Sequence, residues 1–369
     1  MNYVAESQFI YSGVNTFLEN LRKPNTQFSY FPALTGVTEN GEKLNLGFSC
    51  YALKIKFMIG QLNKTDTEYI NSWVKFINSF QKNNTMFPDN SYIDPALLES
   101  YNKLKINSII KEAVKLSLST LKIKQFESKV LKLKKAINAE TKQAISTLYE
   151  VNNPNKKLIQ NEYENFDSLN YYLEGLDWQK PWDAGAQFSS LCVYSKTQNF
   201  NFDTWLSEYI AKKVDEETGS YFSAMPSNSR QVINGAMKVI TGLDWLGHEI
   251  HHPKRLIDYC LKNRPILEGC DIVDYVFTLY KCSQQTDYKK KEINKILSEI
   301  LEDIINLYYR NEGGFSYFVG KSQSHYYGVK ITDSHETPDL HGTLLCVWAI
   351  NMILDNLQIL ESDKHIIKP

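Results

Sequence analysis

Apolar residues recur at helical spacing along most of the chain. The clearest run is Ile293, Ile296, Leu297, Ile300, Leu301, Ile304 and Tyr308, with lysine, glutamate and aspartate opposite. That pattern predicts a helix with one wet face. Similar one-sided patterns predict helices over Phe9 to Leu21, Tyr69 to Phe80, Val130 to Leu148, Trp205 to Ile210, and from Pro253, a residue suited to a first helical position. Between them lie segments that open on small or polar residues and then turn apolar on nearly every side: Leu46 to Ile59, Asp183 to Tyr194, Val232 to Leu243, Asp271 to Tyr280 and His341 to Leu354. A helix of that kind must be covered on both faces. Alternating Val, Ile and Thr runs are short, so little or no β-structure is predicted.

Alternation of half-wet and fully apolar helices predicts an all-α single domain over residues 1–369. Its expected form is an (α/α)6-type toroid, with the apolar helices as inner ring and the N-terminal helix as outer partner of the last inner one. Within residues 87–170 the segments IIKEAVKLSLSTL and AETKQAISTLYEV fit either layer. Connections from inner to outer helices are short (Gln61 to Lys64, Lys196 to Asn201, Ser283 to Thr286), whereas several return connections are long and rich in Gly, Pro and aromatics. The long loops and the positive N-terminal ends of the inner helices then share one mouth, the expected place for function and for an anionic group.

Composition narrows the partners. A net charge of −1 with 22% charged residues supplies no long-range field, so neither nucleic acid nor anionic lipid is favoured. No run approaches the roughly 18 to 20 apolar residues of a membrane span, and the first residues lack the regions of a signal peptide, so a cytoplasmic protein is expected. Cys50, Cys192, Cys260, Cys270, Cys282 and Cys346 are scattered without paired spacing, as reduced thiols would be. The 23 Tyr and 18 Phe suit helix interfaces and pockets for sugars or isoprenoids alike. The oligomeric state is left open.

ETGSYF and EGGFSYF turns, each followed by an apolar helix, resemble repeats of the terpenoid cyclase and protein prenyltransferase-like toroids over about the last half of the chain. Six-hairpin glycosidases, polysaccharide lyases and sugar epimerases arrange helices alike. The prenyltransferase resemblance implies a zinc site at Glu268, Cys270 and His341, with Glu where that family carries Asp; otherwise no metal or other cofactor is expected. Neither a DxDD nor a DDxxD motif is present, and Asp271 with Asp274 is only a DxxD fragment.

The richest segment is HYYGVKITDSHETPDLH, which brings His325, Tyr326, Tyr327, His335, Glu336, Asp339 and His341 beside the start of an apolar helix. Imidazole with a carboxylate neighbour suits acid–base catalysis, while Asp339 also fits a helix N-cap. Trp178, Trp182, Asp183 and Gln187 suit stacking and hydrogen bonding to a sugar, or a core and a cap. Arg230 and Asn234 lie one turn apart, able to hold an anion or an acidic neighbour. The expected catalytic set is Asp183, Asp271, His335, Asp339 and His341; the expected substrate-binding set is Trp178, Trp182, Gln187, Arg230, Asn234, Tyr326 and Tyr327. His248 to His252 spells HExxH, but between Gly247 and Pro253, where a continuous zinc-binding helix is not expected. The leading expectation is an enzyme acting on a saccharide or glycoconjugate as a lyase, hydrolase or epimerase. The alternatives are an isoprenoid- or lipid-handling transferase or cyclase, with or without zinc, and a non-catalytic toroid that binds a glycan or protein.

Overall fold

A computed structural model describes the chain apart from residues 1, 25, 63–66, 103–127, 164 and 267. It is 57% helix and 8% strand, and the described residues form fourteen helices with two small sheets. The helices are α1 (Tyr3–Leu21), α2 (Glu39–Lys43), α3 (Leu46–Met58), α4 (Thr67–Asn78), α5 (Pro95–Asn102), α6 (Lys129–Glu150), α7 (Phe166–Gly175), α8 (Pro181–Thr197), α9 (Asp203–Ala211), α10 (Ser229–Leu246), α11 (Pro253–Lys262), α12 (Cys270–Ser283), α13 (Lys290–Asn306) and α14 (Leu340–Asn356). Two antiparallel hairpins complete the list: β1 (Gln81–Asn84) with β2 (Phe87–Tyr92), and β3 (His325–Tyr326) with β4 (Val329–Lys330).

Six helices pack in sequence, α3 on α6, α6 on α8, α8 on α10, α10 on α12 and α12 on α14, and α14 returns to pack on α3. Each neighbouring pair runs parallel, as the side-chain register requires. Asn138 meets Gln187 and Lys142 meets Ser189; Arg230 meets Asp271 and Lys281 meets Asp244. Tyr51 stacks on His341 near one end of α3 and α14, while Asn351 binds the Met58 carbonyl near the other. Parallel neighbours place all six helix starts at one end of the group. Glycine lets α8 and α10 approach closely: a Cβ on Gly185 would lie 3.1 Å from the Gly235 carbonyl oxygen, and one on Gly242 would lie 2.8 Å from Cys192 Sγ.

Five of these helices are the ones apolar on every side; in α3 all but Phe57 are buried. The sixth, α6, departs from its expected one-sided reading. Its polar residues Asn138, Glu140, Thr141, Lys142 and Gln143 find partners within the protein. The segment AETKQAISTLYEV therefore belongs to the six, while IIKEAVKLSLSTL lies outside the described residues. The half-wet helices α1, α4, α9, α11 and α13 pack against α14, α3, α8, α12 and α14 respectively. On α13 the buried stripe is Ile293, Leu297, Ile300, Leu301, Ile304 and Ile305. Each such side chain, fully buried, contributes about 1.5 to 3 kcal/mol. One apolar cluster runs from Ile10 to Ile367.

The two ends of the six-helix group differ. At the far end, the His365 carbonyl accepts from Asn351 and the Pro369 carbonyl from Trp245, so the last residues cross the helix C-termini. The starts are met by long connections, and two of these join: Ala33 bridges Asp339, and Val37 bridges Thr332. All six cysteines are free thiols, five of them buried. No described helix is long and apolar enough to cross a membrane.

Candidate functional site

The loop before α14 is organised by one carboxylate. Asp339 Oδ1 accepts from the backbone N–H of Gly342 at 2.8 Å, and Oδ2 accepts from those of Tyr317 and Gln323 at 2.6 and 3.0 Å. Burial raises its pKa to about 6 against the pull of these donors. Both oxygens are committed to backbone, so Asp339 works as helix cap and loop anchor, which its expected catalytic role did not include. His335, also expected to be catalytic, is an exposed residue packed over Gly36, and Glu336 and His325 are exposed as well.

The remaining residues at the helix starts form a connected series. The Arg230 guanidinium lies 4.8 Å from the Trp182 ring centre, next to Asp183 at the start of α8. Its Nε donates to Asp271 Oδ1 at 2.8 Å, and Asn234 Nδ2 donates to the same oxygen at 2.7 Å. Asp271 thus anchors the expected anion-binding pair rather than standing free as an acid. Its neighbour Cys270 places Sγ 3.3 Å from the Tyr317 hydroxyl, and the Tyr317 ring packs on His341 at 5.0 Å. Residues 183, 230, 271 and 341 accordingly gather at one end of the group.

His341 is held between aromatics, stacked on Tyr51 at 4.7 Å with an interplanar angle of 11°. Burial, with Lys238 adding to it, lowers its pKa to about 3, so the ring is neutral at physiological pH. Nδ1 lies 3.1 Å from Gln323 Oε1. A proton assigned to Nδ1 satisfies that contact and leaves Nε2 as an acceptor. Burial also pushes the Cys270 thiol up to about 11, so it stays protonated.

Beside this stack, the Tyr326 hydroxyl donates to Glu140 Oε1 at 3.0 Å. Glu140 is 1% exposed and its Oε2 has no partner. Burial, then the nearby Asp94, raises its pKa well above the carboxylate range, so the carboxyl keeps its proton. Tyr326 packs on Phe48 and Tyr51 across Gly47. The next residue, Tyr327, takes a left-handed φ of 45° and offers its carbonyl to Tyr101 at 2.6 Å. A left-handed tyrosine is costly and is held here by its surroundings.

A cavity of about 960 Å³ opens at the starts of α6 and α8. Asp183 and Gln187 line it, with Asn138, Lys135, Tyr172 and Tyr194. Lys135 pairs with Asp183, and Gln187 Oε1 accepts from Asn138 at 2.8 Å and from Tyr172 at 3.3 Å. Of the two tryptophans expected to bind substrate, Trp182 lies at the start of α8 under the Arg230 guanidinium. Trp178 is buried, bound to the Leu173 carbonyl and packed on Phe188 and Tyr209, and is core.

The HExxH residues are not on a helix: α10 ends at Leu246, Gly247 turns left-handed, and His251 and His252 reach Tyr221 and Glu216. Among the described residues no three His, Cys, Asp or Glu side chains form a metal-holding group, and Cys270 of the Glu268, Cys270 and His341 trio is engaged with Tyr317. Sequence reasoning missed Tyr51, Glu140, Lys142 and Lys238, and met Asp274 only as part of a DxxD fragment. Tyr317 lay inside the EGGFSYF motif, the one signal that pointed to it.

No family model, curated protein or solved structure matches the chain.

Proposed function

We propose that the closed, parallel sequence of six helices is the inner ring of an α/α toroid, and that the chain is an enzyme acting on a saccharide or glycoconjugate by acid–base chemistry at the ring's mouth. The parallel register of every neighbouring pair supports the first part. The observation that carries the second is the proximity of a neutral imidazole, His341, to the proton-holding pair Tyr326 and Glu140, with Tyr51 in contact with both His341 and Tyr326. His341 Nε2 would take a proton from a sugar carbon or hydroxyl, and Tyr326, backed by Glu140, would return one to the leaving oxygen or the opposite face. Asn138, Gln187 and the tyrosines of the 960 Å³ cavity offer the amides and rings that sugars bind.

The test is a screen of neutral and acidic oligosaccharides for cleavage, elimination or epimerisation, with His341→Gln and Tyr326→Phe as controls. Turnover lost about 100-fold or more in each variant is expected, and turnover unaffected by both overturns the reading.

A second reading, isoprenoid handling, is favoured by one feature: Tyr51 and Tyr317 flank His341, and Phe48 and Tyr326 pack beside Tyr51, a group of rings of the kind that suits a carbocation. Binding of a prenyl diphosphate, in the absence of saccharide turnover, would select it.

A further inference from the structure

Three lysines enter the interior of the six-helix group from different helices: Lys54 of α3, Lys142 of α6 and Lys238 of α10. Two have settled partners. Lys54 Nζ lies 2.8 Å from Ser146 Oγ, with Glu150 near enough to favour its charge. Lys238 Nζ lies 3.3 Å from Oδ1 of Asp274, a residue with no solvent exposure. Lys142 differs, because its partner is one neutral hydroxyl, Ser189 Oγ at 3.2 Å, and no carboxylate among the described residues lies within ion-pair distance.

The titratable groups near enough to act on the Lys142 charge come from four helices: Lys54 from α3, Cys192 from α8, Lys238 from α10 and Asp274 from α12. Burial first, then Lys238 and Lys54, lower its pKa to about 7, with Cys192 and Asp274 opposing them. Gathering like charges in a low-dielectric interior is unfavourable unless an anion sits among them. Lys142 and Lys238 are both half-buried, so solvent reaches them. His341, at the mouth, is close enough to feel the Lys238 charge, which places this cluster next to the proposed reacting groups.

We propose that Lys142, with Lys238 beside it, forms an oxyanion subsite inside the ring that takes the carboxylate, sulfate or phosphate group of an acidic ligand. The subsite stands on the lysine geometry; that its ligand is an acidic sugar rests on the saccharide reading above. Lys142 is the primary ligand because Lys238 is already tied to Asp274. The site works with Lys142 protonated, so an anion is held below neutral pH and released as the amine loses its proton.

The experiment is equilibrium dialysis of radiolabelled sulfate, whose charge is constant from pH 6 to 8.5, at fixed ionic strength in chloride. The full chain is expected to show one saturable site. Affinity falls about ten-fold or more between pH 6 and 8.5 and by a similar factor in Lys142→Met. Lys142→Arg, whose charge does not titrate, restores binding and removes the pH dependence. Lys142→Met also removes a repelled charge, so its melting temperature in sulfate-free buffer is at least that of the parent, which separates lost binding from lost fold. Absence of saturable sulfate binding, or equal binding by Lys142→Met, overturns the subsite. Competition by glucuronate but not by glucose supports an acidic sugar as ligand. If sulfate binds and glucuronate does not compete, the acidic-sugar assignment falls while the subsite stands.

Discussion

Tyr326 and Glu140, 186 positions apart in the chain, meet at 3.0 Å, the phenol donating to Oε1 while Oε2 has no partner. Burial lifts the folded pKa of Glu140 above its ordinary value of 4.5, so the fold favours the protonated acid. The stability this group contributes is therefore present below the unfolded pKa and lost as pH rises toward the folded one. Glu140→Gln keeps the acceptor for Tyr326 and cannot ionise. Relative to the parent, the variant is expected to gain stability steadily from pH 5 to 8 in urea denaturation, and a pH-independent difference would show that Glu140 is not buried as an acid.

Gly47 holds the same contact from the other side. A Cβ there would lie 2.0 Å from the Tyr326 hydroxyl oxygen, so Gly47→Ala must displace the ring from Glu140. A loss of about 1 to 3 kcal/mol of stability is expected, together with loss of whatever activity Tyr326→Phe abolishes. Thermal unfolding and the saccharide assay read the two effects.

His341 titrates in the opposite sense. Its folded pKa of about 3 lies below its ordinary 6.5, so its contribution is complete above 6.5 and is lost as pH falls toward 3. Between pH 7 and 4 the parent should lose roughly 2 to 4 kcal/mol relative to His341→Gln, at 1.36 kcal/mol per pH unit of difference. Parallel stability curves for the two proteins would contradict a buried neutral imidazole.

Asp339 is predicted to matter through the fold. Asp339→Asn keeps one acceptor oxygen for the helix cap and loses the other, whereas Asp339→Ala leaves the N–H groups of Gly342, Tyr317 and Gln323 unpaired. Losses of about 1 kcal/mol for Asn and about 2 to 4 kcal/mol for Ala are expected in urea denaturation. Equal, small effects would return Asp339 to the reacting groups.

The helices were readable because each layer has its own pattern: α13 alternates a stripe of isoleucine and leucine with charge, and α3 is apolar on all sides. Helix α6 misled for a physical reason. A polar residue that faces an interior lined by other polar groups has the same periodicity as one that faces water, so Asn138, Lys142 and Gln143 could not be told from a wet face and AETKQAISTLYEV fitted either layer. Glu140 was equally hidden, because its partner Tyr326 is distant in sequence and nothing local distinguishes a buried glutamate from a surface one. Within the HYYGVKITDSHETPDLH run, α14 and the β3 hairpin carry His341 and Tyr326 against Tyr51 at the helix starts, while His335 and Glu336 stayed exposed and Asp339 was taken by the helix cap. Trp178 and Trp182, four residues apart, divided between the core and the Arg230 contact at the turn into α8.

The proposed toroid requires the starts of α3, α8, α10, α12 and α14 to converge around one chamber. Cys270 tests it without a known ligand, since it alone of the six cysteines is not buried. A nitroxide attached to Cys270 should broaden the amide resonances of residues 46–51, 181–187, 229–234 and 340–344, and spare the far ends of the same helices at Met58, Thr197, Leu246 and Asn356. Broadening confined to the neighbourhood of α12, or spread equally to those far ends, would contradict the account.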